Sequence, residues 1–347
     1  NRAQKAEFML NKHEEITGQL NAFLSKQNIN TNNVIAYYSS VVAGFAIKLS
    51  PEEYKQLATN DKIDMIQYDR IEQLPAFTVE SVTTASARAQ TTPCGVTRTG
   101  GPRNGDSPYW AWIIDTGIDL DHPDLDVQTS TTFGKSFVGG TADDCNGHGT
   151  HVAGIVGAID NSIGVVGVSS GAKVVPVKVF GCSGGSATST IISGIDHVGR
   201  YDIPGDVANL SLGGYYGGNC GSGSAYKTPL QNLGNAGTRI SIAAGNSNAN
   251  ANLYQPACVN GTNIFTVASM GCNRGFSSFS NFGRPPIDFI AVGGHVYSTY
   301  KNGSYATLSG TSMAAPHVAG IMHGKQAAPS IGGYVSKNGV SYPIAVY

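Results

Sequence analysis

Hydrophobic and polar positions follow two regimes along this chain. In residues 1–77 the apolar positions are locally periodic. Ile16, Leu20, Phe23 and Leu24 fall on one helix face, and Asn11 with Glu14 predicts a capped start for that helix. "NVIAYYSSVVAGFAIKLS" contains two strand-like runs, from Val34 and from Val42. "SPEEYKQLA" predicts a second helix, with Ser50 as cap, Pro51 in the first turn and Glu53 closing a capping box. "KIDMIQYD" reads as a further strand, and a weak one lies near Phe8. The resulting order, strand, helix, strand, strand, helix, strand, is the split βαβ pattern of a small ferredoxin-like α+β domain. It holds no catalytic constellation of its own.

From residue 89 onward the pattern changes. "WAWIID", "KVVPVKVF", "VANLSLG", "RISIAAG", "IFTVAS" and "DFIAVGG" are near-continuous apolar runs rich in β-branched residues. Between them "ATSTIISGIDHV" and "SAYKTPLQNLGNAG" read as helices. Strands of this kind alternating with helices predict an α/β domain over 89–347, a mostly parallel central sheet with helices on both faces. Ligands of such sheets bind beyond the carboxyl ends of the strands.

Composition sharpens the seam between the two units. Residues 1–88 carry 9 Lys/Arg, 10 Asp/Glu and two glycines, whereas residues 89–347 carry 13 of each charge type, 43 glycines and no glutamate. The join, "TVESVTTASARAQTTP", is small and polar, so residues 78–88 read as a linker open to processing. A net charge of −1 gives no electrostatic footprint for nucleic acid or an anionic membrane. No apolar run approaches the ~18 residues of a membrane span. All six cysteines lie in the second unit without a C-x-x-C pair, which favours disulfides and an oxidising compartment over zinc, with free buried thiols as the alternative.

Candidate chemistry sits at element ends. Asp115 closes "WAWIID" just before a glycine turn. His148, in "NGHGTHVAG", and Ser312, in "LSGTSMAAPHVAG", each open an apolar helix beside glycine. Asp, His and Ser together suit nucleophilic catalysis: imidazole takes the serine proton and carboxylate orients the imidazole. A developing oxyanion needs two donors. The Ser312 amide is one, and the Asn246 side chain, in "AAGNSN" after the "RISIAAG" strand, is the other. Taken singly, Asp115, His148, Ser312 and Asn246 also suit a turn cap, a core imidazole, a helix cap and a turn residue.

The segments "VVGV", "DTGID", "NGHGTHVAG", "NLSLGG", "AAGN" and "GTSMAAPHVAG" resemble, in order, the signatures of subtilisin-like serine proteases. The Asp, His, Ser chain order is that family's known order. "STIISGIDHV" and "SSFSNFG" are similar to its proteinase K and aqualysin members, and "VVAGFAIKLSPEEYKQL" resembles the subtilase inhibitor propeptide.

The resemblance implies a secreted, monomeric endopeptidase acting on protein substrates, carried here with its own propeptide as chaperone and inhibitor. A non-catalytic module of the same fold is the alternative. The resemblance also implies substrate-binding walls at Ser211, Leu212 and Gly213 and at Ala243, Ala244 and Gly245, where glycine-rich edges allow an extended peptide to pair. It implies a structural Ca2+ held by Gln90, Asp124, Asn161 and the Ile159, Ile163 and Val165 carbonyls, and a second at Asp288 with the Thr262 and Ile264 carbonyls. Processing is expected before Ala89, with the 78–88 tail lying in the active site and Gln90 unable to reach the Asn161 loop until the chain is cut. The Arg88 that precedes Ala89 departs from the apolar residues the family prefers there. Among the cysteines the resemblance implies Cys145–Cys182; proximity then suggests Cys258–Cys272, leaving Cys94–Cys220.

Overall fold

The alternation of the second unit builds a nine-stranded sheet in a computed structural model that describes residues 1–83, 89–218, 220–221 and 223–347. From one edge the strands are Ser330–Lys337, Val340–Val346, Ile287–Val292, Ile264–Met270, Arg239–Ala243, Val207–Leu210, Ala111–Asp115, Val174–Lys178 and Lys135–Ser136. Every neighbouring pair is parallel except the Ser330–Lys337 edge, which turns back antiparallel. Strands Ser330–Lys337 and Val340–Val346 thus form a hairpin at this edge, the second docking beside Ile287–Val292.

Side-chain alternation explains why both faces are covered. Along Ala111–Asp115, Ala111 and Ile113 enter one core while Trp112 and Ile114 enter the other. The first core is capped by helices α3 (Cys94–Thr99), α4 (His148–Gly157) and α7 (Thr311–Lys325), the second by α5 (Thr188–Tyr201) and α6 (Lys227–Asn235). Each fully buried Ile or Val contributes about 1.5–3 kcal/mol, so the two-sided burial of this strand fixes its register and the position of its last residue, Asp115.

The first unit departs from the ferredoxin-like expectation. Helix α1 runs over Arg2–Lys26, capped at Asn1 by a box with Gln4, so the expected cap at Asn11 and the strand near Phe8 are both helical turns. Phe8 and Leu10 are exposed, which is why the apolar pair misled. Helix α2 (Pro51–Ala58) has the expected Ser50–Glu53 box and Pro51. "KIDMIQYD" forms no strand, and the sheet internal to this unit is the hairpin Val34–Tyr38 with Gly44–Ile47.

The unit spends its surface on docking instead. Asp196 of α5 accepts the Ser39, Ser40 and Val41 amides at 3.0, 2.7 and 3.0 Å. The Arg2 guanidinium pairs with Asp206 at 2.7 and 3.0 Å and lies 3.6 Å over the Trp110 ring. Asp69 caps α5 by accepting from the Ser189 amide and hydroxyl at 2.9 and 2.6 Å.

Candidate active site

Asp115 and His148 meet because strand Ala111–Asp115 ends where α4 begins. Imidazole Nδ1 lies 2.8 Å from Asp115 Oδ1, and both side chains are wholly buried. The Thr116 amide donates to that same Oδ1 at 2.8 Å. The helix start is fixed by a residue that sequence reasoning passed over. Asp144 accepts from the Asn146 and Gly147 amides and the Thr116 hydroxyl (each 2.9 Å), and from the Thr150 amide and hydroxyl (3.0 and 2.6 Å). An acidic residue just ahead of a helix was the available signal. Gly149 is forced by packing, since a Cβ there would sit 2.1 Å from the Gly117 carbonyl oxygen.

Ser312 is the second residue of α7. Pro316, four residues on, has no N–H to give the Ser312 carbonyl, and the Ser211 hydroxyl supplies the missing donor at 2.7 Å. The Ser312 hydroxyl in turn donates to the Ser211 carbonyl at 3.3 Å. It does not engage His148, whose Nε2 is buried without a hydrogen-bond partner among the described residues.

Asn246 stands just beyond the carboxyl end of strand Arg239–Ala243. Its Oδ1 accepts from the Thr311 amide at 2.8 Å and the Thr311 hydroxyl at 2.7 Å, and the Gly245 amide donates to that hydroxyl at 3.0 Å. Thr311 therefore fixes which way the carboxamide points, a role not read from sequence. The Asn246 Nδ2 donates at 2.8 Å to the carbonyl of Ala76.

That bond corrects the expected path of the tail. The described segment in the cleft is 71–77, ahead of the expected Thr78 start. Ile71–Gln73 pairs antiparallel with Gly185–Ala187, the Leu74 amide donates to the Gly184 carbonyl at 2.9 Å, and Phe77 packs tilted against His148 with ring centroids 4.8 Å apart. The Gly184–Ala187 edge was not among the expected substrate walls; its glycine-rich "CSGGSA" was the overlooked sign. Ser211, Leu212, Ala243 and Ala244 are buried, with Gly213 and Gly245 partly exposed, and the two segments follow adjacent strands at the same sheet edge. No main-chain hydrogen bond among the described residues joins Ser211–Gly213 to the cleft segment. Beyond Phe77, Thr78–Thr83 forms a strand against Ser304–Ser309. Residues 84–88, with the expected cut after Arg88, lie outside the described residues.

Gln90 also departs from expectation, for it reaches the Asn161 loop in the uncut chain. Its side-chain amide lies 2.8 Å from the Ile159 carbonyl, 3.3 Å from that of Val165 and 3.4 Å from Asn161 Oδ1. The intervening residues 78–89 span up to about 40 Å when extended, so a filled cleft does not restrain Gln90. Ala89 pairs with Ile163 as an antiparallel bridge. Asp124 accepts from Asn161 Nδ2, the Val165 amide and the Tyr305 hydroxyl at 2.8, 3.0 and 3.1 Å, and burial pushes its carboxyl up to about 6. Among the described residues no group of three or more His, Cys, Asp or Glu gathers as a metal site. The convergence at Gln90 is of carbonyl and amide oxygens, the donor type a hard cation takes. Asp288 is likewise pushed up to about 6 by burial, and it accepts the Thr266 amide at 2.8 Å, further along the strand than the expected Thr262 and Ile264 partners.

The cysteines pair as Cys145–Cys182, Cys94–Cys272 and Cys220–Cys258. Proximity in sequence misjudged the last two. The seven-residue strand Ile264–Met270 carries the chain about 23 Å across the sheet between Cys258 and Cys272.

An α/β sheet whose carboxyl edge gathers an Asp–His pair, a helix-start serine and a fixed carboxamide is the architecture of hydrolases built around a serine. The chain belongs to the subtilase family, whose model matches residues 112–337. It is 36% identical over 301 residues to alkaline serine exoprotease A of Vibrio alginolyticus, the match covering 83% of this chain and 52% of that one. It is 35% identical over 292 residues to the extracellular serine proteinase of Thermus sp. (strain Rt41A), covering 82% and 66%. Against subtilisin Savinase of Lederbergia lenta the identity is 40% over 242 residues, covering 67% and 83%. The chain thus spans about half the length of the Vibrio relative and just under two thirds of the Thermus one. The crystal structure of a cold-adapted subtilisin-like serine proteinase matches with a TM-score of 0.56 and 38% identity, over 64% of this chain and 77% of that one. No helix of the described residues is long and apolar enough to cross a membrane.

Proposed function

We propose that this chain is a secreted, monomeric subtilisin-like endopeptidase in its propeptide-bearing form, and that the first bond it cuts is its own Ala76–Phe77. The observation that carries the reading is the 2.8 Å hydrogen bond from Asn246 Nδ2 to the Ala76 carbonyl, beside the His148–Asp115 pair. A peptide carbonyl held by a fixed carboxamide donor is where an oxyanion forms.

In this scheme Ser312 Oγ turns from the Ser211 carbonyl and attacks the Ala76 carbonyl carbon. Its proton passes to His148 Nε2, while Asp115 holds Nδ1 and stabilises the imidazolium. Asn246 and the Ser312 amide bind the oxyanion. Collapse breaks the C–N bond, His148 returns the proton to the Phe77 nitrogen, and water then releases Ala76 from the acyl-enzyme by the same groups. Ser211–Gly213 and Ala243–Gly245 wall the pocket for the residue before the cut. Residues 1–76 act as inhibitor and chaperone by filling the cleft and capping α5, as the contacts of Asp69 and Asp196 support. Protein substrates take the same path once the propeptide leaves.

The cofactor we propose is structural Ca2+, held by Gln90, Asp124, Asn161 and the Ile159, Ile163 and Val165 carbonyls. Bound there, the ion neutralises the buried Asp124 carboxylate and clamps its loop. A second ion is proposed at Asp288. The test of the enzyme assignment is covalent labelling by a fluorophosphonate after processing: label on Ser312 is expected, and none under calcium-replete conditions contradicts the assignment.

A further inference from the structure

The segment in the cleft carries one side chain into a pocket that the reaction does not use. Glu72, the fifth residue before the Ala76–Phe77 bond, is 4% exposed. Its Oε1 accepts from Thr188 Oγ1 at 2.9 Å, from the Tyr216 hydroxyl at 2.6 Å and from the Tyr226 hydroxyl. All three donors belong to the peptidase unit. Thr188 is the first residue of α5, Tyr226 immediately precedes α6, and the Cys220–Cys258 disulfide anchors the stretch between Tyr216 and Tyr226. We propose that these three hydroxyls form an extended substrate subsite selecting a glutamate five residues before the cleaved bond. This deepens the endopeptidase reading and rests on it.

Three properties of the pocket support an acidic occupant. First, Tyr226 is completely buried, so its hydroxyl needs an acceptor whenever the cleft is filled. Second, burial, then the charge of Glu72, raises Tyr226 and Tyr216 above the usual phenol range, so both remain donors at any working pH. Third, three donors converge on one oxygen, and bonds to a carboxylate are roughly twice as strong as neutral ones. Glutamine in the same place keeps the acceptor, but its neutral oxygen accepts more weakly and its NH2 group is buried where Glu72 Oε2 has no hydrogen-bond partner among the described residues. Aspartate is one methylene too short to reach Tyr226 with its backbone still paired to Gly185–Ala187. The occupant is therefore a peptide of acidic, not merely polar, character at that position, and the propeptide supplies one to hold itself in place.

The test uses the processed enzyme and two quenched-fluorescent peptides, Glu-Gln-Leu-Pro-Ala-Phe-Thr and its counterpart with Gln first, both amino-terminally capped. The wild type is expected to favour the glutamate peptide in kcat/KM by about tenfold, the scale of a charged over a neutral hydrogen bond. Tyr226→Phe is expected to reduce that ratio several-fold, and Tyr226→Phe with Tyr216→Phe and Thr188→Ala to bring it near one. Fluorophosphonate titration of Ser312 confirms that each variant is folded and counts its active sites. Equal rates for the two peptides, or a preference that survives in the triple variant, overturn the subsite. If Ser312 labels but neither peptide is cut between Ala and Phe, the register is wrong and the subsite falls while the endopeptidase reading stands. No labelling at all refutes that reading itself.

Discussion

Thr311→Val removes one hydroxyl at nearly constant volume, and its consequence can be worked from three contacts. Asn246 Oδ1 is held by the Thr311 amide and hydroxyl, and that hydroxyl also receives the Gly245 amide. The variant keeps the amide bond, loses the 2.7 Å hydroxyl bond and leaves the Gly245 amide without its acceptor. A neutral hydrogen bond is worth about 0.5–1.5 kcal/mol. Losing such an oxyanion donor outright costs about 2.7–4 kcal/mol, as measured for subtilisin itself. A carboxamide still tethered at one point should forfeit part of this, about 1.5 kcal/mol, or roughly tenfold in kcat. KM should change by less than about twofold, because the donor matters most to the developing oxyanion. The assay is steady-state hydrolysis of a quenched peptide by the wild type, Thr311→Val, Asn246→Ala and the double variant. If Thr311 acts through Asn246, adding Thr311→Val to Asn246→Ala costs less than about twofold. A tenfold loss in both backgrounds, or no loss in either, refutes the positioning role.

Gly149→Ala should destabilise the fold by about 3 kcal/mol, since the new Cβ meets backbone at the Gly117 carbonyl; an unchanged thermal midpoint would contradict that packing. Asp144→Asn replaces an acceptor of five hydrogen bonds at the start of α4 and should lower kcat at least about tenfold with His148 itself intact, read by peptide hydrolysis. Chelation by EDTA should lower the thermal midpoint, since calcium at 100 times its Kd adds about 2.7 kcal/mol; Asn161→Ala should shrink that difference, and an EDTA-insensitive wild type would refute the site. Burial holds His151 near about 3 and both His317 and His197 near about 4, below the ordinary 6.5. These folded values are depressed, so the unfolded chain binds protons first. Stability should be full above pH 6.5 and fall as pH drops from there toward 4, by up to ~1.4 kcal/mol per pH unit for each imidazole. A midpoint that stays flat across that range would contradict their buried neutral state.

The α/β sheet was legible because its strands are buried on both faces: a run such as "WAWIID" has no polar alternation to confuse with a helix or an edge strand. The positions of Asp115, His148, Ser312 and Asn246 followed, each marked by glycine at an element end. What escaped was whatever depends on contacts distant in sequence. The helix α1 was misread because Phe8 and Leu10 face solvent, so apolarity there carries no period. The cysteine pairing failed because Ile264–Met270 separates two cysteines that look adjacent. Thr311 and Asp144 act through hydrogen bonds to backbone and carboxamide atoms, which leave no pattern in composition. The cleft segment was placed too late because the linker's small polar residues draw the eye, whereas the residues that lie in the cleft are the more ordinary "IEQLPAF".

The central claim is that Ser312 cuts the chain's own Ala76–Phe77 bond. Intact mass and amino-terminal sequencing of freshly folded wild type and Ser312→Ala, sampled over time, test it directly. The account predicts that the wild type first yields a fragment ending at Ala76 and another beginning with Phe77, while Ser312→Ala stays in one piece. A first cut after Arg88, or cleavage at Ala76 in Ser312→Ala without added protease, would contradict it.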